Sequence, residues 1–364
     1  MLAPSLARAG GIQRYTATLI RAVEELLGHE SVRCVAMPKV LNHGVTDSRR
    51  LPGRSKIRFA WKALWEATRW RPDLIICTHL ALGPVGWFAA GFGGRPYWVV
   101  VHGIEAWGVL PRWKHAALRR AGKVIVTSAF NREQVVKRHQ IEEERIASLP
   151  CALDETLLNM EPARDGLNCH LSDDRRVVLS VARMAAVECY KGHEIVLQAL
   201  ASVAAKVPNV TYIIVGDGDD RARLESLAKQ LGVATHVVFT GEVSDAELAS
   251  IYRRSEIFVL PARTVIDDHH PKGEGFGIVF LEAMAFGKAV VGPNYGAPAE
   301  LIGPGIMGLL VDPESPASVA DALLNLLTNP DSAREMGRIG SEWVREHYSY
   351  GCFRERLREL MMAD

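Results

Sequence analysis

The stretch VVLSVARMAAVECYKGHEIVLQALASVAAKVPNVTYIIV, residues 177–215, decides the fold. It begins and ends with a short run rich in Val and Ile. Both runs are apolar throughout rather than alternating, which is typical of strands buried on both faces. A helical pattern lies between them. A strand, a helix and a second buried strand in this order predict one unit of a parallel sheet with helices packed on it.

The same alternation covers the rest of the chain. Further apolar runs stand at 32–37, 74–78, 97–101, 123–127, 236–240, 256–260 and 289–291. A polar segment at 153–175 interrupts the pattern and reads as a linker. We therefore predict an α/β protein with two facing, Rossmann-like, doubly wound parallel sheets, in which ligands bind at the carboxyl ends of the strands. The expected domains are 1–155, 156–345 and a C-terminal helix at 346–364 that crosses back to the first domain.

The start of the chain is unusual for this fold. It reads MLAPSLARAGGIQRYT, with a glycine pair at Gly10 and Gly11. A Rossmann domain normally has a full apolar strand before such a loop, and only a few residues precede it here. The sequence thus predicts a first strand that is missing or truncated.

Composition excludes several classes of protein. Of 364 residues, 48% are hydrophobic and 23% are charged, as in a folded globular protein. The net charge of +1 gives no reason to expect a nucleic-acid partner. Six scattered cysteines fit reduced thiols better than disulfides or a zinc site. We find no secretory leader, and the uncharged stretch 74–94 is interrupted by Gly83-Pro84, so it reads as a strand, a turn and a short helix. The expected location is cytoplasmic.

The strongest chemical signal is EGFGIVFLEAMAFG at 274–287. Glu274 precedes the loop formed by Gly275, Phe276 and Gly277, and a helix with Glu282 on it is predicted from about 278 to 286. Glycines let a backbone approach a ligand closely, and a helix N-terminus offers free amides to phosphate. A glycine turn before a core helix with two solvated glutamates is the alternative that spacing alone leaves open.

This stretch and several others resemble glycosyltransferase family 4. Two glutamates separated by seven residues, around GFG and before an EAMA helix, are similar to the family signature. The other matching segments are GGIQRY at 10–15, VHGIE at 101–105, Arg183 with Lys191-Gly192, VGDGD at 215–219 and GKAVVGPNYGAPAELI at 287–302. The resemblance extends from Gly10 to the helix near 351–362. It implies a retaining hexosyltransferase of the two-Rossmann-domain (GT-B) kind, which uses a nucleotide-diphosphate sugar and a saccharide or lipid-linked acceptor in polysaccharide or glycan biosynthesis.

The resemblance also implies roles for single residues. Arg183 and Lys191 stabilise the leaving diphosphate. The planar guanidinium of Arg183 and the point charge of Lys191 are both suited to phosphate oxygens. Amides of 275–277 add to this, so no metal or other cofactor is expected. Glu282 holds the ribose hydroxyls and Glu274 contacts the donor sugar. A surface pair beside a strand end is the alternative for Arg183 and Lys191.

On the other domain the resemblance implies that Gly10 and Gly11 close over the donor phosphates and that His102 lies near the donor sugar. The alternative for Gly10 and Gly11 is a plain turn. The alternative for His102 is a histidine at a strand end that hydrogen-bonds the backbone. In the family, attack occurs on the face from which the leaving group departs, and the diphosphate accepts the acceptor's proton. No paired carboxylates at glycosidase-like positions are evident.

Other functions are alternatives to this one. A nicotinamide-dependent oxidoreductase is disfavoured because Gly216-Asp217-Gly218 lacks the third glycine of its fingerprint. A nucleotide-sugar epimerase or hydrolase on the same fold and a non-catalytic nucleotide-sugar-binding relative stay open. The sequence names neither the nucleotide and sugar of the donor nor the acceptor.

Two segments depart from the family or add to it. Residues 262–273 form a longer link than usual, where Asp267, Asp268, His269 and His270 suggest a metal; a polar, mobile loop is favoured, because metal ligands rarely come from four adjacent residues. The spacing from Arg183 to Lys191 is also longer than is common.

The second segment, 49–71, holds eight basic residues, one acidic residue and three tryptophans, Trp61, Trp65 and Trp70. One hypothesis is a peripheral contact with an anionic membrane, to which Arg112, Trp113, Lys114, Arg119 and Arg120 would add. The favoured hypothesis is a helix that buries its tryptophans against the sheet.

Overall fold

The computed structural model describes residues 1–4, 10–37, 53–161 and 172–363. The chain divides into two units. Unit 1 comprises Met1–Ala152, Ile266–Pro271 and Tyr350–Asp364. Unit 2 comprises Leu153–Val265 and Lys272–Ser349.

The strands and helices alternate along the chain. The strands are β1 (Leu2–Ala3), β2 (Val35–Ala36), β3 (Ile75–Cys77), β4 (Tyr97–Val101), β5 (Lys123–Val126), β6 (Ile146–Ser148), β7 (Arg176–Val181), β8 (Val210–Val215), β9 (Val237–Gly241), β10 (Ile257–Val259), β11 (Ala289–Pro293) and β12 (Gly308–Val311). The helices are α1 (Gly11–Leu27), α2 (Gly53–Trp70), α3 (Gly83–Gly91), α4 (Arg112–Arg120), α5 (Ala129–His139), α6 (Glu155–Leu158), α7 (His193–Lys206), α8 (Arg221–Gln230), α9 (Asp245–Arg254), α10 (Ile278–Ala285), α11 (Ala297–Leu301), α12 (Pro316–Thr328), α13 (Pro330–Tyr348) and α14 (Tyr350–Met362).

Unit 1 is built on a parallel sheet with the strand order β2-β1-β3-β4-β5-β6. The step from β1 to β2 runs in one direction along the sheet, and the later steps run in the other. Because β-α-β crossovers are right-handed, α1 covers one face and α2, α3 and α4 cover the opposite face. In agreement, α3 packs against both α2 and α4, and α14 packs against α1. The resulting core includes Phe59 of α2 and Leu118 of α4.

Unit 2 repeats the plan with the strand order β12-β11-β10-β7-β8-β9, again all parallel. Its central strands β7, β8 and β10 are buried along almost their whole length, as their unbroken apolar sequences predict. The core packs α7 and α12 against the sheet through residues such as Leu200 and Leu323. The predicted α/β fold with two doubly wound parallel sheets is confirmed.

The first strand is present as β1 and is short rather than missing. It lies inside the sheet, since Leu2 pairs with both Val35 and Cys77. Strands β6 and β12 were not predicted from the sequence. Both are edge strands of three or four residues, too short for a clear apolar run.

The expected linker at 153–175 lies partly outside the described residues, because 162–171 are among those left out. Its first part contains the short helix α6, which packs against α9. The guanidinium of Arg253 on α9 donates to the carbonyls of Leu158 and Met160. This part of the segment is therefore bound to unit 2.

Two expectations concern thiols and membrane spans. Cys34, Cys77, Cys151, Cys189 and Cys352 are free thiols, and Cys169 lies outside the described residues. Across the described part of the chain, no helix combines the length and apolar character that crossing a bilayer requires.

Candidate functional site

In unit 2 the predicted site begins where the parallel strands end. Arg183 follows β7 by two residues, and Gly216 follows β8 directly. A Cβ at Gly216 would lie 2.3 Å from the carbonyl oxygen of Ala182, and its φ of 132° disfavours other residues. Glycine at this position thus lets the loops after β7 and β8 pack closely at the carboxyl edge of the sheet.

The segment after Arg183 carries Lys191 to the neighbouring strand end. A 3₁₀ segment, Ala186–Lys191, leads to Gly192, which has a φ of 83° and begins α7. A Cβ on Gly192 would lie 2.5 Å from the carbonyl oxygen of Pro261, two residues beyond β10. Only glycine permits this approach, so the Lys-Gly pair fixes Lys191 beside the end of β10.

Lys191 and Glu274 form an ion pair between Nζ and Oε1. Their side chains are only 14% and 17% exposed. The ammonium also lies 5.7 Å from the centre of the Tyr190 ring. Burial, and to a smaller extent the charge of Glu274, raises the pKa of Tyr190 well above its ordinary value. The structure therefore brings together two residues that the sequence places 83 positions apart.

Arg183 is also paired, with Glu188 of the 3₁₀ segment. The second oxygen of Glu188, Oε2, is buried and has no hydrogen-bond partner among the described residues. Sequence reasoning did not single out Glu188, although its position between Arg183 and Lys191 was a signal. Each of the two cations expected to meet phosphate is thus matched by a carboxylate.

The helix after the glycine loop is α10, close to the range predicted from sequence. Gly277 caps it with a φ of 93°, and Gly287, two residues beyond its last residue, has a φ of 73°. Phe276 is buried, and its ring lies 6.0 Å from that of Tyr348. The side chain of Phe276 is therefore part of the interior, which leaves its backbone for any contact with a ligand.

Glu282 lies on α10 with only 1% of its surface exposed. Its Oε2 accepts a hydrogen bond of 3.0 Å from the hydroxyl of Tyr252 on α9. The Tyr252 ring stacks on Phe286 with the centroids 5.0 Å apart. The picture of a solvated glutamate is wrong for Glu282, because α9 covers it. Nothing in the sequence indicated Tyr252 as its partner.

A buried histidine follows the Lys-Gly pair. His193 has its Nδ1 3.5 Å from the hydroxyl of Tyr212, which also bonds Ser180 Oγ at 2.8 Å. Burial, reinforced by the charge of Lys191, lowers the pKa of His193 to about 4. His193 is therefore neutral at pH 7 and adds no positive charge beside Lys191.

In unit 1, Gly10 adopts a φ of 112° and Gly11 begins α1. Tyr15 of this helix meets His102 edge to face, with the ring centroids 5.1 Å apart. Nε2 of His102 lies 2.8 Å from the carbonyl oxygen of Thr78. Since a carbonyl only accepts, Nε2 carries the proton and Nδ1 is the nitrogen left for a ligand. The strand-end histidine bonded to the backbone is thus observed, and it leaves one ring nitrogen for chemistry.

The turn that carries His102 is held by residues that sequence reasoning missed. The His102 amide donates to Glu105 Oε1 at 2.7 Å, and Asn131 Nδ2 donates to the His102 carbonyl at 3.0 Å. Trp107 Nε1 in turn donates to Asn131 Oδ1 at 2.9 Å. These groups are buried or half-buried, so the turn has a fixed geometry.

The long link at 262–273 leaves unit 2 and returns to it. Val265 and Lys272 pair as an antiparallel bridge, while 266–271 belong to unit 1. There the Asp268 carbonyl accepts from the Val109 amide at 2.8 Å, and its carboxylate pairs with Arg138 at 2.6 Å. Asp267 instead accepts from the backbone amides of His270 and His269, and these hydrogen bonds lower its pKa. Over the described ranges, no group of three or more His, Cys, Asp or Glu residues is arranged to hold a metal ion.

The basic, aromatic segment forms α2, and its residues 49–52 lie outside the described part. Trp61 and Trp65 are 70% and 63% exposed, so the favoured expectation that they pack against the sheet is wrong. The inward face is instead made by Phe59, Ala63 and Leu64. Helical periodicity could not tell which of two apolar stripes would face the sheet.

Two family models match the chain. The model of glycosyl transferases group 1 matches residues 169–343, and that of glycosyltransferase family 4 matches residues 9–157. Together they cover every strand of the two sheets except β1.

The chain is also similar to named relatives and, in its fold, to solved structures. A GDP-mannose-dependent alpha-(1-6)-phosphatidylinositol monomannoside mannosyltransferase of Mycobacterium tuberculosis is 31% identical over 72% of this chain and 68% of its own length. Alpha-D-kanosaminyltransferase of Streptomyces kanamyceticus is 28% identical over 68% of this chain and 62% of its own length. The structure of the Anabaena protein HepE in complex with UDP and glucose superposes with a TM-score of 0.78 at 18% identity, covering 100% of this chain and 99% of that one.

Proposed function

Since the chain belongs to glycosyltransferase family 4 and is a nucleotide-sugar-dependent glycosyltransferase, we propose that it transfers a hexose with retention of anomeric configuration to a saccharide or lipid-linked acceptor. The proposed setting is the biosynthesis of a polysaccharide or another glycan.

The observation that supports this most is the pairing of Lys191 with Glu274 at the carboxyl edge of the sheet in unit 2. Departure of a nucleoside diphosphate leaves negative charge on phosphate oxygens, and Lys191 and Arg183 supply two cations for it. Amides of Gly275, Phe276 and Gly277 precede the N-terminus of α10, where the helix dipole favours the same charge. Glu274 then exchanges its ion pair for hydroxyls of the donor sugar.

The remaining proposed roles rest on the resemblance to the family. Glu282, held by Tyr252, binds the ribose hydroxyls, since one carboxylate accepts from two vicinal hydroxyls. His102 lies near the donor sugar, with Nδ1 as its ligand nitrogen, and Gly10 with Gly11 close over the phosphates. The leaving phosphate oxygen takes the proton of the attacking acceptor hydroxyl. Because cations and amides of the chain balance the charge, the proposal requires no metal ion.

GDP-mannose is the donor to test first. The name of the Mycobacterium tuberculosis relative specifies that donor, with a phosphatidylinositol mannoside as acceptor. The Anabaena structure contains UDP and glucose instead, at a lower sequence identity. We therefore propose a GDP-sugar and an acceptor with a lipid-linked head group. The proposed location is the cytoplasmic face of a membrane, in peripheral contact through 49–71.

The test is thermal unfolding of the purified chain with GDP-, UDP- and ADP-sugars, each with and without EDTA. A ligand that binds only the native state raises Tm. A selective shift that EDTA leaves unchanged is the expected result. A shift that EDTA abolishes contradicts metal independence, and no shift with any nucleotide sugar contradicts the donor assignment.

Activity separates the transferase from its alternatives. With labelled donor and no acceptor, a hydrolase releases free sugar and an epimerase converts the donor. A non-catalytic relative shows the thermal shift and no turnover with any acceptor. A transferase releases nucleoside diphosphate in proportion to the acceptor that becomes labelled.

A further inference from the structure

The outer side of the α2-α3-α4 layer exposes large apolar side chains that the fold does not use. On α2 they are Ile57, Trp61 and Trp65, spaced four residues apart and so aligned on one side of the helix. Phe88 on α3, Phe92 just after α3 and Trp113 on α4 are exposed as well. We call these six residues the aromatic face. Its members lie on three adjacent helices that bury their opposite sides in one core.

The charge of the same layer is strongly one-sided. The described side chains of α2 and α4 include eight Lys and Arg and a single acidic residue, Glu66. The basic residues are Lys56, Arg58, Lys62, Arg69, Arg112, Lys114, Arg119 and Arg120. The whole chain is nearly neutral, with 43 basic and 42 acidic residues, so this layer departs from the average.

The shape of the layer is suited to a flat partner. Three adjacent helices with axes about 10 Å apart form a slab roughly 20 Å across. From Ile57 to Trp65 the apolar stripe of α2 is about 12 Å long. Tryptophan and basic side chains together match the interface of an anionic bilayer.

We propose that the α2-α3-α4 layer as a whole, and not the segment 49–71 alone, rests on an anionic lipid bilayer. The aromatic face enters the head-group region, and the eight basic residues bind lipid phosphates around it. This deepens the membrane contact proposed above by naming the residues that insert and those that bind charge. It does not depend on the identity of the donor.

Flotation with vesicles tests the proposal on the full chain. One set is phosphatidylcholine alone, and the other is phosphatidylcholine mixed with phosphatidylglycerol. The protein is expected to float with the anionic set and to be released by high salt. Trp61→Ala with Trp65→Ala, and separately Trp113→Ala, are expected to reduce binding. Lys62→Gln and Arg69→Gln are each expected to lower the partition coefficient about fivefold.

Matched controls lie on exposed positions of unit 2. Ile306→Ala removes an exposed apolar side chain, and Arg334→Gln removes an exposed charge, so both are expected to leave vesicle binding unchanged. Because the substituted side chains are exposed, Tm and the donor-induced shift in Tm are expected to stay the same in every variant. Loss of vesicle binding with an intact donor shift would separate this proposal from the proposed function.

Four results would overturn the proposal. The first is that the protein does not bind anionic vesicles, and the second is that the tryptophan and charge variants bind them as well as the parent chain does. The third is that the layer binds a single-stranded RNA homopolymer through the same residues but does not bind vesicles. The fourth is a dimer, seen by light scattering, that the Trp61→Ala, Trp65→Ala variant dissociates, since the aromatic face would then belong to a contact with a second copy of the chain.

Discussion

Lys191 and Glu274, which stand 83 residues apart in sequence, form an ion pair with both side chains largely shielded from water. Gly192 fixes one partner and the glycine loop before α10 follows the other. The cation proposed to bind phosphate is thus paired with the carboxylate proposed to bind sugar. The proposed function therefore requires that donor binding opens this pair.

The substitution Glu274→Gln separates the two roles. It removes the sugar contact and also releases Lys191, so kcat is expected to fall at least a hundredfold while the Kd for the nucleoside diphosphate stays the same or decreases. Lys191→Met should raise that Kd about ten- to a hundredfold, because it removes a charge-assisted hydrogen bond and such bonds usually contribute this much to affinity. Calorimetric titration with the diphosphate measures its Kd for both variants. A large loss of diphosphate affinity in Glu274→Gln would contradict the competition between the pair and the ligand.

Glu188 offers a second test of the same principle. Its ion pair with Arg183 is expected to compete with phosphate, and its Oε2 is buried without a partner among the described residues. Glu188→Gln should therefore tighten diphosphate binding several-fold, and Arg183→Gln should weaken it. Asp331→Asn breaks an exposed ion pair on α13 and serves as the matched control. If Glu188→Gln and the parent chain bound the diphosphate with equal affinity, Glu188 would not be part of the binding site.

Tyr252 is a positioning residue for Glu282. Tyr252→Phe keeps the stacking on Phe286 and removes the hydroxyl, so it is expected to cost about 1–3 kcal/mol of stability and to raise the donor KM more than it lowers kcat. Tyr212→Phe removes another buried hydroxyl in unit 2 that does not touch Glu282. A purely structural role for Tyr252 predicts the same kinetics for both variants.

His193 makes stability depend on pH. Its pKa is lowered to about 4 in the folded chain, against an ordinary value of about 6.5. Between these values the unfolded state binds more protons, so the free energy of unfolding decreases as pH falls from about 6.5 to about 4, by up to roughly 3 kcal/mol. Urea unfolding of His193→Gln should show a flatter pH profile. His29→Gln, at an exposed position, should keep the slope of the parent chain.

Gly108 allows the long link to pack on unit 1. A Cβ there would lie 2.6 Å from the carbonyl oxygen of Asp268, next to the hydrogen bond from the Val109 amide. Gly108→Ala should displace 266–271 and increase its hydrogen exchange and proteolysis. Gly91→Ala is the control, since a Cβ at Gly91 meets nothing within 4 Å. Unchanged exchange of the link in Gly108→Ala would show that the loop is not anchored there.

The sequence by itself determined the α/β fold, the position of α10 and the family. These depend on local patterns, because buried parallel strands leave unbroken apolar runs and glycines mark turns with positive φ. Spacing within one helix was enough to place Glu282 and the glycine that follows α10. Strand lengths at the sheet edges were less clear, and β6 and β12 were overlooked because short edge strands carry little pattern.

Only the tertiary structure decided which side chains meet. Lys191 pairs with Glu274, Tyr252 bonds Glu282 and Asp268 lies against Gly108, and each contact joins segments far apart in sequence. The structure also showed that Trp61 and Trp65 point away from the sheet, because Phe59 and Ala63 occupy the inward face of α2. Partner choice and exposure depend on how whole elements pack together, and a linear pattern of residue types does not carry that information.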